Sequence, residues 1–155
     1  MTLEKGDVAE DFELLGNDGN SVTLSSFKGS KNVVLCFYPK NHLFACPSKK
    51  VFEMAKSVIS VYSDIISTTT VLFAISVDSV DSQAEFVKKY EIPYVHLSDP
   101  KKIACKKYAG TNIVGLAKRS TFVIGIDGVI HDVMREINVT SHGQEILDSL
   151  NKINV

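Results

Sequence analysis

Residues 37–50, FYPKNHLFACPSKK, set a cysteine directly before a proline, where an apolar run ends and a helical pattern begins. Proline is favoured at the first helical position, so Pro47 there makes Cys46 the cap residue, beside unpaired backbone N–H groups and the positive end of the helix dipole. A thiolate is stabilised in such a place. An ordinary cysteine has a pKa of about 8.5, and helix N-termini or nearby cations lower it to roughly 3.5–7.5. The chemistry would be that of a charged sulfur nucleophile. Cys46 also reads as a small apolar side chain at a crowded strand-to-helix corner, since free cysteine is among the most buried residue types. The local sequence leaves both readings open. His42 stands four residues before Cys46 as a candidate base or metal ligand, but His96, His131 and His142 form no ligand-spaced set with the cysteines, so no metal site is expected.

These residues need a frame to hold them, and the chain alternates strand and helix patterns. Residues 11–24 place two short alternating segments around Asp18-Gly19, a pair suited to a hairpin turn. Residues 32–38 (NVVLCFY) and 70–77 (TVLFAISV) are continuous apolar runs, as in the centre of a sheet covered on both faces. Between them Val51, Phe52, Ala55, Val58, Ile59, Tyr62 and Ile66 recur at three- and four-residue steps and predict an amphipathic helix over 47–66. Strand, helix and strand of these lengths make a parallel crossover. Further on, a surface helix is predicted over 80–90, a short strand over 94–97, and a helix near 100–108. A hairpin is predicted from 120–126 and 129–133 around Asp127-Gly128, and a last helix over 142–152 with Thr140-Ser141 as caps. Parallel and antiparallel pairs then share one sheet with helices on both faces.

Bulk properties bound the function. A chain of 155 residues with 45% hydrophobic content suits one domain, 1–155. Seventeen basic residues against 18 acidic ones, without a basic block, make nucleic acid an unexpected partner. No leader pattern and no long apolar span is present, which predicts a soluble, cytoplasmic protein away from membranes. Three widely spaced cysteines at 36, 46 and 105 argue against a secreted disulfide framework. Cys36 and Cys46 are ten residues apart, which excludes a CxxC redox pair, and Cys36 falls inside a predicted central strand as a core residue. Asn138-Val139-Thr140 matches a glycosylation triplet but is expected to be a turn.

The order Gly6-Asp7-x-Ala9, Asp11-Phe12, Asp18-Gly19, VVLCFYP, Cys46, FVKKYEIPYVHLSDP and KRSTFVIGIDGVI resembles the peroxiredoxins, in the bacterioferritin-comigratory or peroxiredoxin Q group, from about residue 5 to 150. The resemblance implies an α/β, thioredoxin-like fold: a three-layer α/β/α arrangement with a central mixed sheet and an N-terminal β-hairpin. It implies a thiol peroxidase with no cofactor, acting on hydrogen peroxide and organic hydroperoxides. A thioredoxin-like protein or a small thiol would be the reductant, and the protein would be a monomer or homodimer. Cys46 takes the place of the nucleophile and Arg119, before the Thr121-Phe122 strand, that of its electrostatic partner. On its own residues Arg119 reads as a surface ion pair beside a strand, and the match of the surrounding strand reverses that reading. Pro39, position 43 and the backbone of Ala45 and Cys46 take the substrate-binding places.

Departures accompany the matches. Where that family has a Thr or Ser hydroxyl, this chain has Leu43, and where it commonly has Glu, this chain has Lys49. The missing hydroxyl predicts weaker peroxide activation, while an added cation favours a thiolate. Leu43 and Phe44 are alternatively a hydrophobic mouth for organic hydroperoxides, core cover or a partner surface. The family's frequent second cysteine, five positions on, is Val51 here. Cys105, flanked by lysines, is the remaining candidate resolving thiol, through a Cys46–Cys105 disulfide. A one-cysteine cycle with an outside thiol is the default, and a divergent redox sensor or binding protein is the alternative.

Overall fold

The computed structural model describes residues 2–43, 46–47 and 49–153, with His42, Leu43, Cys46, Pro47 and Lys49 described by their backbone alone. The N-terminal hairpin forms as predicted from β1 (Glu13–Gly16) and β2 (Ser21–Thr23). Gly19 closes the turn at φ 82°, in the left-handed region that a side chain disfavours. Then come a 3₁₀ turn (Leu24–Phe27), β3 (Asn32–Phe37), the two-residue strands β4 (His42–Leu43) and β5 (Cys46–Pro47), α1 (Lys49–Ser60), α2 (Tyr62–Ile66) and β6 (Thr70–Ser76). The second half runs α3 (Val80–Lys89), β7 (Val95–Ser98), α4 (Ile103–Lys107), β8 (Ser120–Ile124), β9 (Ile130–Met134) and α5 (His142–Ile153).

Seven strands share one mixed sheet in the order β2-β1-β7-β6-β3-β8-β9. β3 lies inside it, parallel to β6 and antiparallel to β8, and all six of its residues are buried. This explains why its sequence is a continuous apolar run rather than an alternation. Alternate residues feed two cores. Val33, Leu35 and Phe37 pack with Phe73, Tyr108 and Phe122 on one face, beneath the 3₁₀ turn and α4. Val34 and Cys36 pack on the other with Val58, Phe86, Ile146 and Leu150, beneath α1, α2, α3 and α5. Each large apolar side chain so buried contributes about 1.5–3 kcal/mol.

Two expectations about the first long helix are corrected. The predicted helix 47–66 is two helices, broken at Val61 (φ −121°, ψ 13°). The buried positions keep one helical phase across the break: Ile65, two turns after Val58, is buried, and Ile66 is 45% exposed instead of facing the core. Three- and four-residue spacing therefore cannot show the break, because both helices face one core. The start also differs. α1 begins at Lys49, while Cys46 and Pro47 are extended and pair antiparallel with Leu43 and His42, so Cys46 is not the residue that caps the helix. Proline's fixed φ suits an extended strand as well as a first helical turn.

The last helix starts directly after Ser141, whose carbonyl accepts from the Glu145 amide at 3.1 Å, and it gains a further partner that lies far along the chain. The amide of Gly143 donates to Ser57 Oγ of α1 at 2.8 Å, so a side chain from another helix satisfies this first-turn donor. Ser141 instead places its hydroxyl on Glu145 at 3.3 Å. Asn138 Oδ1 accepts from the Thr140 amide at 3.1 Å, so the Asn-Val-Thr triplet is a turn.

Candidate functional site

Arg119 and the start of the segment that leads to Cys46 lie at the end of the sheet where β3 releases the chain. Phe37 pairs with Ser120, so Tyr38 and Arg119 are the next residues beyond that pairing, and the chain continues through Pro39 to the Cys46 segment. Among open α/β sheets, the carboxyl ends of parallel strands are where ligands bind. Pro39 is half-buried there. The backbone sets Leu43 opposite Cys46. Ala45 lies outside the described residues, as do Phe44 and Ser48.

Arg119 is half-buried at the start of β8 and leans on α1: its Nη1 donates to Met54 Sδ at 3.3 Å. Burial lowers its pKa, opposed by the Tyr38 hydroxyl, yet a guanidinium remains protonated at any ordinary pH. Among the described residues no carboxylate lies within ion-pairing distance of it. A neutral thioether orients the guanidinium without cancelling its charge.

Beneath Arg119 sits His142, fully buried, with Nε2 2.6 Å from Thr121 Oγ1. Thr121 in turn lies opposite Cys36 of β3 and partly offsets the effect of burial on its thiol. Burial, reinforced by the Arg119 charge, lowers the His142 pKa to about 4. His96, also buried, is lowered by burial to about 3. Both values lie below the unfolded value of about 6.5, so the unfolded chain binds more protons between pH 4 and 6.5. Their contribution to stability is complete above about pH 6.5 and is lost as pH falls through that window. Urea unfolding should show stability lower at pH 5 than at pH 7.5, by roughly 2 kcal/mol per histidine. His142→Gln should flatten the slope, and a wild-type stability equal at the two pH values would contradict the burial argument.

The segment that carries the chain toward Cys46 is pinned by a buried polar network that sequence reasoning missed. Tyr38 Oη lies 2.6 Å from Asn41 Oδ1, 2.8 Å from Gln83 Oε1 and 2.9 Å from His96 Nδ1. The Asn41 amide donates to Asp78 Oδ2 at 2.9 Å, and Asn41 Nδ2 donates to Ser82 Oγ and Gln83 Oε1. Gln83 Nε2 donates to Ser76 Oγ and to the Leu97 carbonyl, and Ser76 Oγ donates to Asp78 Oδ2 at 2.6 Å. Bonds of this kind gain strength in a low-dielectric interior. The signal in the sequence was polar residues placed at the ends of apolar strands: Ser76, Asp78, His96 and Ser98.

The two other cysteines are structural in their surroundings. Cys36 is buried in β3, as its strand pattern predicts, and burial pushes its thiol up to about 12. Cys105 is fully buried in α4, on the sheet face opposite α1. Its thiol is pushed up by burial and by Asp99, with Lys102 only partly opposing. The flanking lysines therefore do not activate it, and the Asp99 carboxylate, which also accepts from the Cys105 amide at 2.8 Å, outweighs them. Among the described residues no three His, Cys, Asp or Glu side chains gather to hold a metal ion, and no helix is long and apolar enough to cross a membrane. A cleft of about 170 Å³ between Val8, Leu24, Lys28 and Ile124 lies at the other end of β3 and holds none of the predicted site residues.

Comparison with known proteins gives this arrangement its relatives. The model of the AhpC/TSA family matches residues 5–133. A putative peroxiredoxin bcp of Coxiella burnetii is 32% identical, over 97% of this chain and 100% of its own. The peroxiredoxin Bcp of Bacillus subtilis is also 32% identical, over 97% of this chain and 96% of its own. Among solved structures, peroxidoxin BcpB of Mycobacterium tuberculosis superposes with a TM-score of 0.85 at 27% identity, over 97% of this chain and 98% of that one. The fold is thus the thioredoxin-like fold of the peroxiredoxins. Matched along nearly its whole length in sequence and in shape, the chain belongs to the AhpC/TSA family of peroxiredoxins, within the Bcp and peroxiredoxin Q group.

Proposed function

We propose that the protein is a thiol-dependent peroxidase for hydrogen peroxide and organic hydroperoxides, with Cys46 as its nucleophile. The observation that carries this reading is the family match over a chain whose cysteine follows β3 and whose Arg119 flanks the same strand end. The Cys46 thiolate attacks one peroxide oxygen. An S–O bond forms as the O–O bond breaks, sulfur gives up two electrons, and the departing oxygen leaves as water or an alcohol after taking a proton. Arg119 stabilises the thiolate and then the charge on the leaving oxygen. Pro39 and the backbone of Ala45 and Cys46 complete the peroxide site. One outside thiol then displaces water from the sulfenic acid to give a mixed disulfide, and a second releases Cys46 as thiol. A one-cysteine cycle suits a chain whose other two thiols are buried.

Stopped-flow oxidation of the reduced protein by hydrogen peroxide, with the sulfenic acid mapped by mass, tests this. Rapid oxidation confined to Cys46 is the expected result, and a rate no better than that of a free thiol would remove the peroxidase reading.

Leu43 and Lys49 favour a second reading, a redox sensor or binding protein that has lost efficient peroxide reduction. In the peroxidase reading Leu43 withholds one donor from the transition state. Leu43→Thr should then raise the Cys46 oxidation rate by about 10- to 100-fold. A Thr variant with an unchanged slow rate would favour the sensor.

A further inference from the structure

The cycle above needs a thiol from outside the chain, and the segment that leads into β8 is unlike the rest of the chain. Between Asp99 and Asp127 there is no carboxylate, while Lys101, Lys102, Lys106, Lys107, Lys118 and Arg119 all fall there. These are six of 17 basic residues, leaving 11 against all 18 acidic residues elsewhere. A near-neutral chain therefore carries a strongly positive segment. Among the described residues only Lys107 of the six has a carboxylate within ion-pairing distance, Glu10 at 3.2 Å.

The same segment exposes aliphatic side chains. Ile113 is fully exposed, Val114 is 72% exposed, and Ile103 of α4 is 45% exposed. The tip that bears Ile113 and Val114 is held in shape. Thr111 bridges to Ala117, the Asn112 amide donates to the Leu116 carbonyl at 2.8 Å, and Asn112 Oδ1 accepts from the amides of Val114 and Leu116 at 3.0 Å each. The Lys102 ammonium lies against the tip at Gly115, where an added Cβ would come within 2.4 Å of it. The start of α4 and the tip are thus one surface. It is ordered before anything binds, which reduces the entropy lost on docking. The tip leads to Arg119 and β8 at the sheet end where β3 releases the chain toward Cys46.

We propose that the Ile113–Val114 tip and the lysines around it form the docking surface for a protein dithiol reductant whose contact face is apolar with an acidic rim. This rests on the peroxidase reading. A small thiol has neither the apolar area nor the multiple charges to use such a surface. A second copy of this chain, meeting it about a two-fold axis, would set the same cations against each other. Aliphatic rather than aromatic residues at the centre suit a protein partner and offer nucleic-acid bases nothing to stack on.

The test is steady-state peroxide reduction supported either by a bacterial thioredoxin with its reductase and NADPH, or by dithiothreitol. The double variants Ile113→Ser/Val114→Ser and Lys101→Glu/Lys106→Glu are compared with the wild type. Each should lose about tenfold in kcat/KM for thioredoxin, through KM, with dithiothreitol-supported turnover unchanged. Added salt should raise the wild-type KM for thioredoxin, and the charge-reversed variant should lose that dependence. Absence of wild-type turnover even with dithiothreitol would overturn the peroxidase reading and this proposal with it. Normal dithiothreitol turnover, with thioredoxin either inactive on the wild type or equally active on all three proteins, would overturn the docking surface alone. So would a wild-type dimer that the Ser variant converts to monomer with unchanged thioredoxin kinetics.

Discussion

Cys46→Ser should abolish peroxide turnover, lowering the dithiothreitol-supported rate to background, on the order of 10⁴-fold or more below the wild type. A hydroxyl oxygen cannot take the second oxygen of a peroxide and be regenerated by a thiol, so the substitution removes the reaction rather than slowing it. No other thiol of the chain is placed to substitute. Cys36 and Cys105 are buried, and burial keeps both thiols protonated far above neutral pH. The swap changes one atom in a two-residue strand, so the melting temperature should stay within a degree or two of wild type. Measuring peroxide consumption beside a thermal melt separates the outcomes. Residual turnover near wild type with an intact fold would move the nucleophile away from Cys46.

Arg119→Met should be the next most damaging change, lowering the second-order rate of Cys46 oxidation by roughly 10²–10³-fold. Two effects of the guanidinium are separable by pH. One favours the thiolate, and is seen as a shift in the pH dependence of Cys46 alkylation by iodoacetamide. The other stabilises charge on the leaving oxygen, and remains when oxidation is compared at a pH where the thiol is fully ionised in both proteins. Most of the loss should survive at that high pH, since a thioether cannot donate to the departing oxygen. Arg119→Lys should recover part of the rate: an ammonium keeps the charge but not the planar fork of donors, one of which reaches Met54. A Met variant whose deficit vanishes at high pH would confine Arg119 to setting the thiol pKa.

The parts of the fold legible in the sequence were those where one local rule decides the structure. Asp18-Gly19 and Asp127-Gly128 announced their hairpins because a tight turn needs a residue at positive φ, and the glycines adopt 82° and 79°. The runs 32–37 and 70–76 announced buried strands because both faces of β3 and β6 are covered. The rest depended on contacts distant along the chain. Gly143 is capped by Ser57, 86 positions earlier, so nothing near residue 143 could reveal it. The break at Val61 leaves no mark in the pattern, because Val58 and Ile65 on either side of it keep one buried phase. At the candidate site, Cys46 and Arg119 were singled out by motif. The Tyr38–Asn41–Gln83–His96 network was not, because its members come from the segment after β3, from α3 and from β7. Charge was misleading in a different way. A net of −1 hides the positive segment at 101–119, because totals cancel what position separates.

Cys36 and Cys105 lie on opposite faces of the sheet, each deep in its own core. Alkylation of each in the native protein therefore waits on the opening of its own face, and the two modification rates are independent clocks for the two halves of the interior. Equal rates would mean that the domain opens as one cooperative unit. A faster Cys36 would mean that the helical layer carrying α1 lifts first and exposes its side of β3 while the layer under α4 stays shut.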